Sequence, residues 1–449
     1  MSAETILING LILTDPSRPE VVPHGRTVID GNSLVQVNVP DDSNLPSDGV
    51  IDCSGCLIMP GLINAHTHAA MSLLRGVADD LPLNEWLQRY IFPAEARHVG
   101  PEFVYLGTCL AAVEMALNGI TTFADGYFHM ENSARAALEV GLRAVVAQGI
   151  LDVPAPDAPM AGSWRKRVDE FLAECPIHSL IKPALFCHSP YLCGAETLQT
   201  ARAISRNHDI LLFSHVSETA QEVEEIRKRY GVRPFEYLQG LGILGTGFVA
   251  VHAVHVSDSE RELLAKSATG VVHCPESNMK LASGAAPVND LLARGVTVAV
   301  GTDGPASNNN LDILEEMRSA SLMAKLVTGD PQALDARTVL RMATIDGAKA
   351  LGMEDRIGSL APGKLADVTV IHLNRPHLTP LYDAISHLVY AARGSDVRHV
   401  MVDGRLVVRD GRITTVDERD LLKQARSIAA NIRKDLGITT CGDHVTNEG

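Results

Sequence analysis

Two histidines at spacing i, i+2, His66 and His68, close an apolar stretch that starts after Pro60-Gly61. On a strand this spacing turns both imidazoles to one side. Two imidazoles on one face suit a borderline divalent metal such as zinc. They equally suit two hydrogen-bonded histidines at a strand end. The pair gains meaning from the polar residues that end other apolar runs. His188 follows Cys187 after Ala184-Leu185-Phe186, and His215 follows residues 210–214, with Glu218 three positions on. His252 closes the run 248–251, His273 closes 270–272, and Asp303 follows 296–301 and Thr302. An aspartate at the end of a Val-rich run is costly to bury without a metal or a partner. Taken as a set, these residues point to a metal site rather than to core packing.

Such a set needs elements that bring many strand ends to one rim. Between residues 60 and 360, apolar runs at 142–146, 181–186, 210–213, 248–251, 270–272 and 296–300 alternate with helical patterns at 102–118, 196–207 and 259–267. About eight strand–helix units at this length imply a parallel α/β sheet closed into a (β/α)8 TIM-like barrel, whose chemistry sits at the C-terminal ends of the strands. Residues 1–59 read as short strands at 5–8, 11–13 and 27–30, punctuated by Asn9-Gly10, Asp15-Pro16 and Asp30-Gly31. Strand character returns at 361–415, where 366–371 and 400–408 are strand-like and Asp403-Gly404 is a hairpin signal. A small β-sandwich domain split between the chain ends, with the barrel at 60–360 inserted, is therefore expected. A C-terminal helix and polar tail occupy 416–449. His444 and Cys441, in that tail, are not expected to be catalytic.

Composition narrows the class. Aromatic residues make up 4%, too few for base-stacking platforms, and a net charge of −15 opposes a phosphate-backbone partner. Eight cysteines are scattered, and Cys53-x-x-Cys56 has no second pair at zinc-ribbon spacing, so reduced, buried thiols are expected. No basic n-region and no long uncharged apolar stretch occurs, so neither a signal peptide nor a membrane span is expected and the simplest location is the cytoplasm.

The motifs P-G-L-I-N-A-H-T-H at 60–68, H-V-S-E-T at 215–219, V-H-A-V-H at 251–255 and G-T-D-G-P-A-S-N-N-N at 301–310 together resemble the amidohydrolase superfamily. Within it, the segments 66–81, 188–193, 273–284 and 301–312 are similar to those of the 5′-methylthioadenosine/S-adenosylhomocysteine deaminases. The resemblance implies that His66, His68, His215 and Asp303 hold one Zn2+, with Fe2+ or Mn2+ as possible substitutes. It assigns acid/base roles to Glu218, His252 and Asp303. The reaction implied is hydrolytic deamination of a 6-aminopurine nucleoside. His252 and Asp303 accept the proton of the attacking water, Glu218 protonates the ring nitrogen beside the amino-bearing carbon, and Asp303 passes a proton to the departing ammonia.

The same resemblance makes Glu95 the acceptor of ribose hydroxyls and His188 a substrate contact. It places Trp86 on the pocket wall, where packing alone would make it a core anchor. Some relatives carry an arginine for the substrate carboxylate where this chain has Gln148. A glutamine lacks the charged fork, so uncharged methylthioadenosine is expected to be the better substrate unless Arg165 or Arg167 compensates. His255, His129 and His178 are read as structural or surface residues, and His273 as packing at the rim. Lys182, which begins its run, and Lys166 are the lysines between His68 and His215. Neither ends a strand as a bridging carboxylated lysine would, so one metal is expected, and a ring-amide hydrolase is disfavoured. The alternatives are a guanine, pterin or triazine hydrolase on the same frame, or a barrel without activity. Partners are small molecules, and a homo-oligomer is implied by the family alone.

Overall fold

The computed structural model describes residues 4–18, 20–40 and 49–437. The tail containing Cys441 and His444 lies outside them. Eight parallel strands form one sheet: β1 (Leu62–Thr67), β2 (Ile120–Tyr127), β3 (Arg143–Ile150), β4 (Ile181–Cys187), β5 (Leu211–Val216), β6 (Phe248–His252), β7 (Gly270–His273) and β8 (Val298–Val300). A parallel bridge between Thr67 and Asp303 closes the barrel from β8 back to β1. At this seam the Asp303 N–H donates to the His66 carbonyl at 3.1 Å, and the Thr67 hydroxyl donates to the Asp303 carbonyl at 2.9 Å.

Seven of the eight strands match expected runs. The omission is β2, whose sequence ITTFADGY is broken by two threonines and an aspartate yet is wholly buried. Its polar groups are satisfied: the Asp125 carboxylate accepts the Ala69 N–H at 2.8 Å and the Ser133 hydroxyl at 2.6 Å. A central strand tolerates such residues when each finds a partner.

The barrel interior follows the two-residue alternation of strands, with Ala124, Val145, Ala147, Ala184, Phe186 and Phe213 sharing one cluster. In β1 the alternation is shifted. Asn64 pairs with Phe123 and Thr67 with Asp125, so three steps on β1 face two on β2. This bulge re-aims the strand end. Ile63 and Ala65 pack in the interior cluster, and the His66 ring still stacks on the interior Phe186, with centroids 5.5 Å apart.

The chain ends build a nine-stranded mixed sheet from Thr5–Leu13, Val21–Asp30, Ser33–Val39, Val50–Asp52, Cys56–Pro60, Val368–His372, Val397–Val402, Arg405–Arg409 and Arg412–Ile413. Asn9-Gly10 does not separate two strands. It is an irregularity inside Thr5–Leu13, with Asn9 at φ 63°. Asp403-Gly404 does form the two-residue hairpin, both residues at positive φ (50° and 76°) as a type I′ turn requires. Arg143 anchors this sheet to the barrel: its guanidinium binds Asp367 in two places, at 2.8 and 3.0 Å, and Asp403 at 3.3 Å. The helix Glu418–Leu436 then packs on the helix Pro101–Leu117. No helix among the described residues is long and apolar enough to cross a membrane.

Candidate metal centre and active site

The C-terminal ends of β1, β5 and β8 bring His66, His68, His215 and Asp303 together. One ligand atom from each lies within 4.8 Å of all the others. Asp303 Oδ1 is 3.5 Å from His66 Nε2 and 3.3 Å from His68 Nε2. His66 Nε2 is buried and has no hydrogen-bond partner. A buried, unpartnered ring nitrogen is costly, and a divalent ion among these donors would satisfy it. Three imidazoles and a carboxylate suit zinc and its first-row neighbours.

Protonation agrees with that use. Burial pushes His66 down to about 4 and His215 well below the ordinary histidine range, which leaves both imidazoles neutral. At His68 burial acts in the same direction, but the Asp303 carboxylate outweighs it and raises the value. The Nδ1 of His68 lies 2.5 Å from the Gly126 carbonyl. That contact puts the ring proton on Nδ1 and leaves Nε2 to face the other donors. Asp303 is buried too, yet the His66 and His68 rings hold its carboxyl well below the usual range. Its second oxygen, Oδ2, accepts the hydroxyls of Ser277 at 2.6 Å and Ser307 at 3.2 Å.

Two further groups face this cluster. His252 Nε2 is 3.7 Å from Glu218 Oε2. His252 Nδ1 is 3.0 Å from Asn278 Oδ1, so Nδ1 carries the proton and Nε2 a lone pair. Burial raises the Glu218 carboxyl above its ordinary value, which favours a group able to give up a proton. Glu218 is held in place by Glu222, whose carboxylate accepts the N–H groups of Ser217 and Glu218, each at 2.8 Å. Ser217 (φ 56°), His252 (φ 76°) and Asp303 (φ 58°) all adopt left-handed backbone. Such strain is uncommon for non-glycine residues and clusters at working sites.

His68, His215 and Asp303 of the cluster line one side of an open cavity whose empty space, solvent at its mouth included, is about 820 Å³. Its walls include Trp86, Leu87, Ile91, Phe92, Tyr127 and Phe128, and His188 and Glu95 also line it. Trp86 belongs both to the main hydrophobic core and to the cavity wall, so its two expected roles coincide. Glu95 is buried, and its Oε1 accepts the Tyr127 hydroxyl at 2.6 Å. Burial pushes the Glu95 carboxyl up to about 7. The His188 ring packs edge-on against His215, with centroids 5.0 Å apart.

Gln148 is elsewhere. On β3, Val145, Ala147 and Gly149 face the barrel axis, so Gln148 points outward with Val146. Its amide donates to Asp157 at 2.8 Å, and Asp157 also accepts from Arg167 at 3.1 Å. Arg167 is further paired with Glu131. Neither Gln148 nor Arg167 reaches the cavity, and no lysine or arginine lines it among the described residues. An arginine at position 148 would sit on the same outward face.

The other histidines sort as follows. His255 lies beyond the end of β6, where strand parity no longer applies, and its Nε2 is 2.7 Å from the Ser283 carbonyl. His273 is buried at the end of β7 with both ring nitrogens unpartnered. Lys182 sits at the start of β4 and donates to the Gly352 carbonyl, away from the rim. Cys53 and Cys56 are buried free thiols. The supporting residues Asp125, Tyr127, Asn278 and Glu222 were not singled out from sequence. Glu222 alone carried a signal: Thr219-x-x-Glu222 opens the helix Ala220–Tyr230 in capping-box spacing.

Comparison with known proteins follows the same lines. The amidohydrolase family model matches residues 57–407. A 5-methylthioadenosine/S-adenosylhomocysteine deaminase of Syntrophobacter fumaroxidans is 46% identical over 436 residues, covering 96% of this chain and 99% of that protein. A 5′-deoxyadenosine deaminase of Methanothermobacter thermautotrophicus is 44% identical over 441 residues, covering 96% of this chain and all of that protein. Among solved structures, an adenosine deaminase from Xanthomonas campestris with bound zinc superposes with a TM-score of 0.91 at 37% identity, covering 96% of this chain and 98% of that one. With its eight-stranded barrel, split outer sheet and rim of three histidines and an aspartate, this chain belongs to the amidohydrolase family.

Proposed function

We propose that this protein is a metal-dependent hydrolytic deaminase of 6-aminopurine nucleosides, releasing ammonia and the inosyl product. The observation that carries the reading is the placement of Glu218 and His252 beside the four-donor cluster, at the wall of a largely apolar cavity. The names of the relatives, deaminases of 5-methylthioadenosine, S-adenosylhomocysteine and 5′-deoxyadenosine, support the substrate class. The metal proposed is zinc, one ion held by His66, His68, His215 and Asp303.

A divalent ion there supplies Lewis acidity that makes water nucleophilic near neutral pH. Glu218, whose carboxyl burial raises above its ordinary value, donates to the ring nitrogen beside the amino-bearing carbon and makes that carbon electrophilic. His252 receives the water proton at Nε2, because Asn278 engages the other nitrogen. Asp303 shares that task and hands a proton to the departing amine, its Oδ2 fixed by Ser277 and Ser307. Apolar walls exclude bulk water, and Glu95 receives ribose hydroxyls from the cavity wall.

The preference for an uncharged thioether no longer rests on Gln148. It rests on the cavity lining, which offers a carboxylate and no cation to a substrate's amino-acid end. Ammonia release by zinc-loaded protein, measured across methylthioadenosine, S-adenosylhomocysteine, adenosine, guanine, cytosine and aminotriazines, tests both points. Turnover is expected for the 6-aminopurine nucleosides, with the highest kcat/KM for methylthioadenosine. Absence of turnover on all three nucleosides refutes the function, and a higher value for S-adenosylhomocysteine refutes the preference alone.

A further inference from the structure

Glu95 is a buried carboxylate on a cavity wall that carries no lysine or arginine. Such a group is stable only if hydrogen-bond donors satisfy it. The protein supplies one, the Tyr127 hydroxyl at 2.6 Å from Oε1. Tyr127 comes from the C-terminal end of β2, and Glu95 from the helix Phe92–His98 that covers the barrel mouth. The two residues therefore reach each other across the gap between barrel and cover. Both line the cavity, and both are buried. A ring fixed at a strand end is a rigid donor. It sets the plane of the carboxylate and the direction of the remaining lone pairs.

We propose that Tyr127 is the positioning residue for ribose recognition: its hydroxyl holds Glu95 in the one orientation that receives two vicinal sugar hydroxyls. This rests on the nucleoside reading above. It also assigns Tyr127 no part in the chemistry at the purine. The hydroxyl acts on Glu95 and through it on the sugar, so its loss weakens binding of substrates that carry both hydroxyls. Tyr127 is 6.4 Å from His68, centroid to centroid, so the ring itself must be retained to keep the packing at the metal donors undisturbed.

Tyr127→Phe keeps the ring and deletes the donor. The zinc-loaded variant and the parent protein are compared on adenosine and on 2′,3′-dideoxyadenosine. A hydrogen bond to a charged group is worth about 10- to 100-fold in affinity. Y127F is expected to lower the adenosine-to-dideoxyadenosine ratio of kcat/KM by at least about tenfold. The change should fall in KM, with kcat on adenosine within about threefold of the parent. Glu95→Gln should collapse the same ratio, and the double variant Y127F/E95Q should fall no further than E95Q, since the two act as one unit. An equal loss on both nucleosides, a loss confined to kcat, or additive losses in the double variant would overturn the proposal. So would an unchanged ratio. A parent protein that turns over none of methylthioadenosine, S-adenosylhomocysteine and adenosine overturns the nucleoside reading and this proposal with it, whereas an active parent with an unselective Y127F overturns this proposal alone.

Discussion

Glu218 and Glu95 are two carboxyls that burial shifts in the same direction and that different neighbours, His252 and Tyr127, set apart. Glu218 faces His252, and the proposed mechanism makes it the proton donor. Glu218→Gln should lower kcat by about 10²- to 10⁴-fold, the usual worth of a positioned acid. Zinc content by elemental analysis should stay unchanged, because Glu218 is outside the donor cluster. Glu95 carries a cost that function justifies. Its carboxyl rises from 4.5 to about 7 on folding. The folded state then binds the proton more tightly than the unfolded chain. That contribution to stability is complete below the unfolded value of 4.5 and is lost as pH rises through about 7. In chelator-treated protein, E95Q should melt higher than the parent at about pH 8, and the gap should close towards pH 4.5. A gap that widens on acidification would contradict this sign. The metal donors were legible in the sequence because each ends an apolar run. Asn278, Ser277 and Tyr127 were not, because their roles exist only through contacts with distant residues. The outward placement of Gln148 follows from its parity on β3, opposite to Val145 and Ala147.

Among the elements, β8 is the shortest barrel strand, three residues, yet it must deliver Asp303. It does so by pressing its end against β1. A Cβ at Gly301 would lie 2.8 Å from both the His66 N and O atoms. Gly301→Ala must therefore push the two strand ends apart. A cost of roughly 1–3 kcal/mol is expected, together with weaker zinc retention during dialysis against a chelator. Full retention with unchanged melting would show that the seam yields freely. The strand runs were legible from apolar periodicity, and the Asp403-Gly404 hairpin from turn chemistry. The bulge at residues 64–67 and the polar strand β2 were not. A bulge leaves no composition signature, and β2 is stabilised by hydrogen bonds that only the folded barrel provides.

At the scale of the molecule, one ion-paired arginine couples the two sheets. Arg143 begins β3, at the end of the barrel opposite the rim, and is buried with Asp367, while its second partner, Asp403, is partly exposed. Arg143→Ala would strand the buried Asp367 carboxylate and take a partner from Asp403, at a cost of about 3–5 kcal/mol. Thermal melting should report the loss. The kcat of the remaining folded enzyme should stay near that of the parent at low temperature, since Arg143 is remote from the cavity.

The barrel's closing bridge joins residues 236 positions apart in the chain. One partner, Thr67, lies between His66 and His68, and the other is Asp303 itself. An ion bound there would therefore act as a clasp on the ring of strands, cross-linking the longest circuit the barrel makes. A ribosome would finish β1 long before β8, so the full donor set exists only after almost the whole barrel has been synthesised. Chelation should consequently loosen the protein from one place. Amide hydrogen exchange should quicken first in Leu62–Thr67 and Val298–Val300, while Arg143–Ile150, clamped between two neighbours, stays protected.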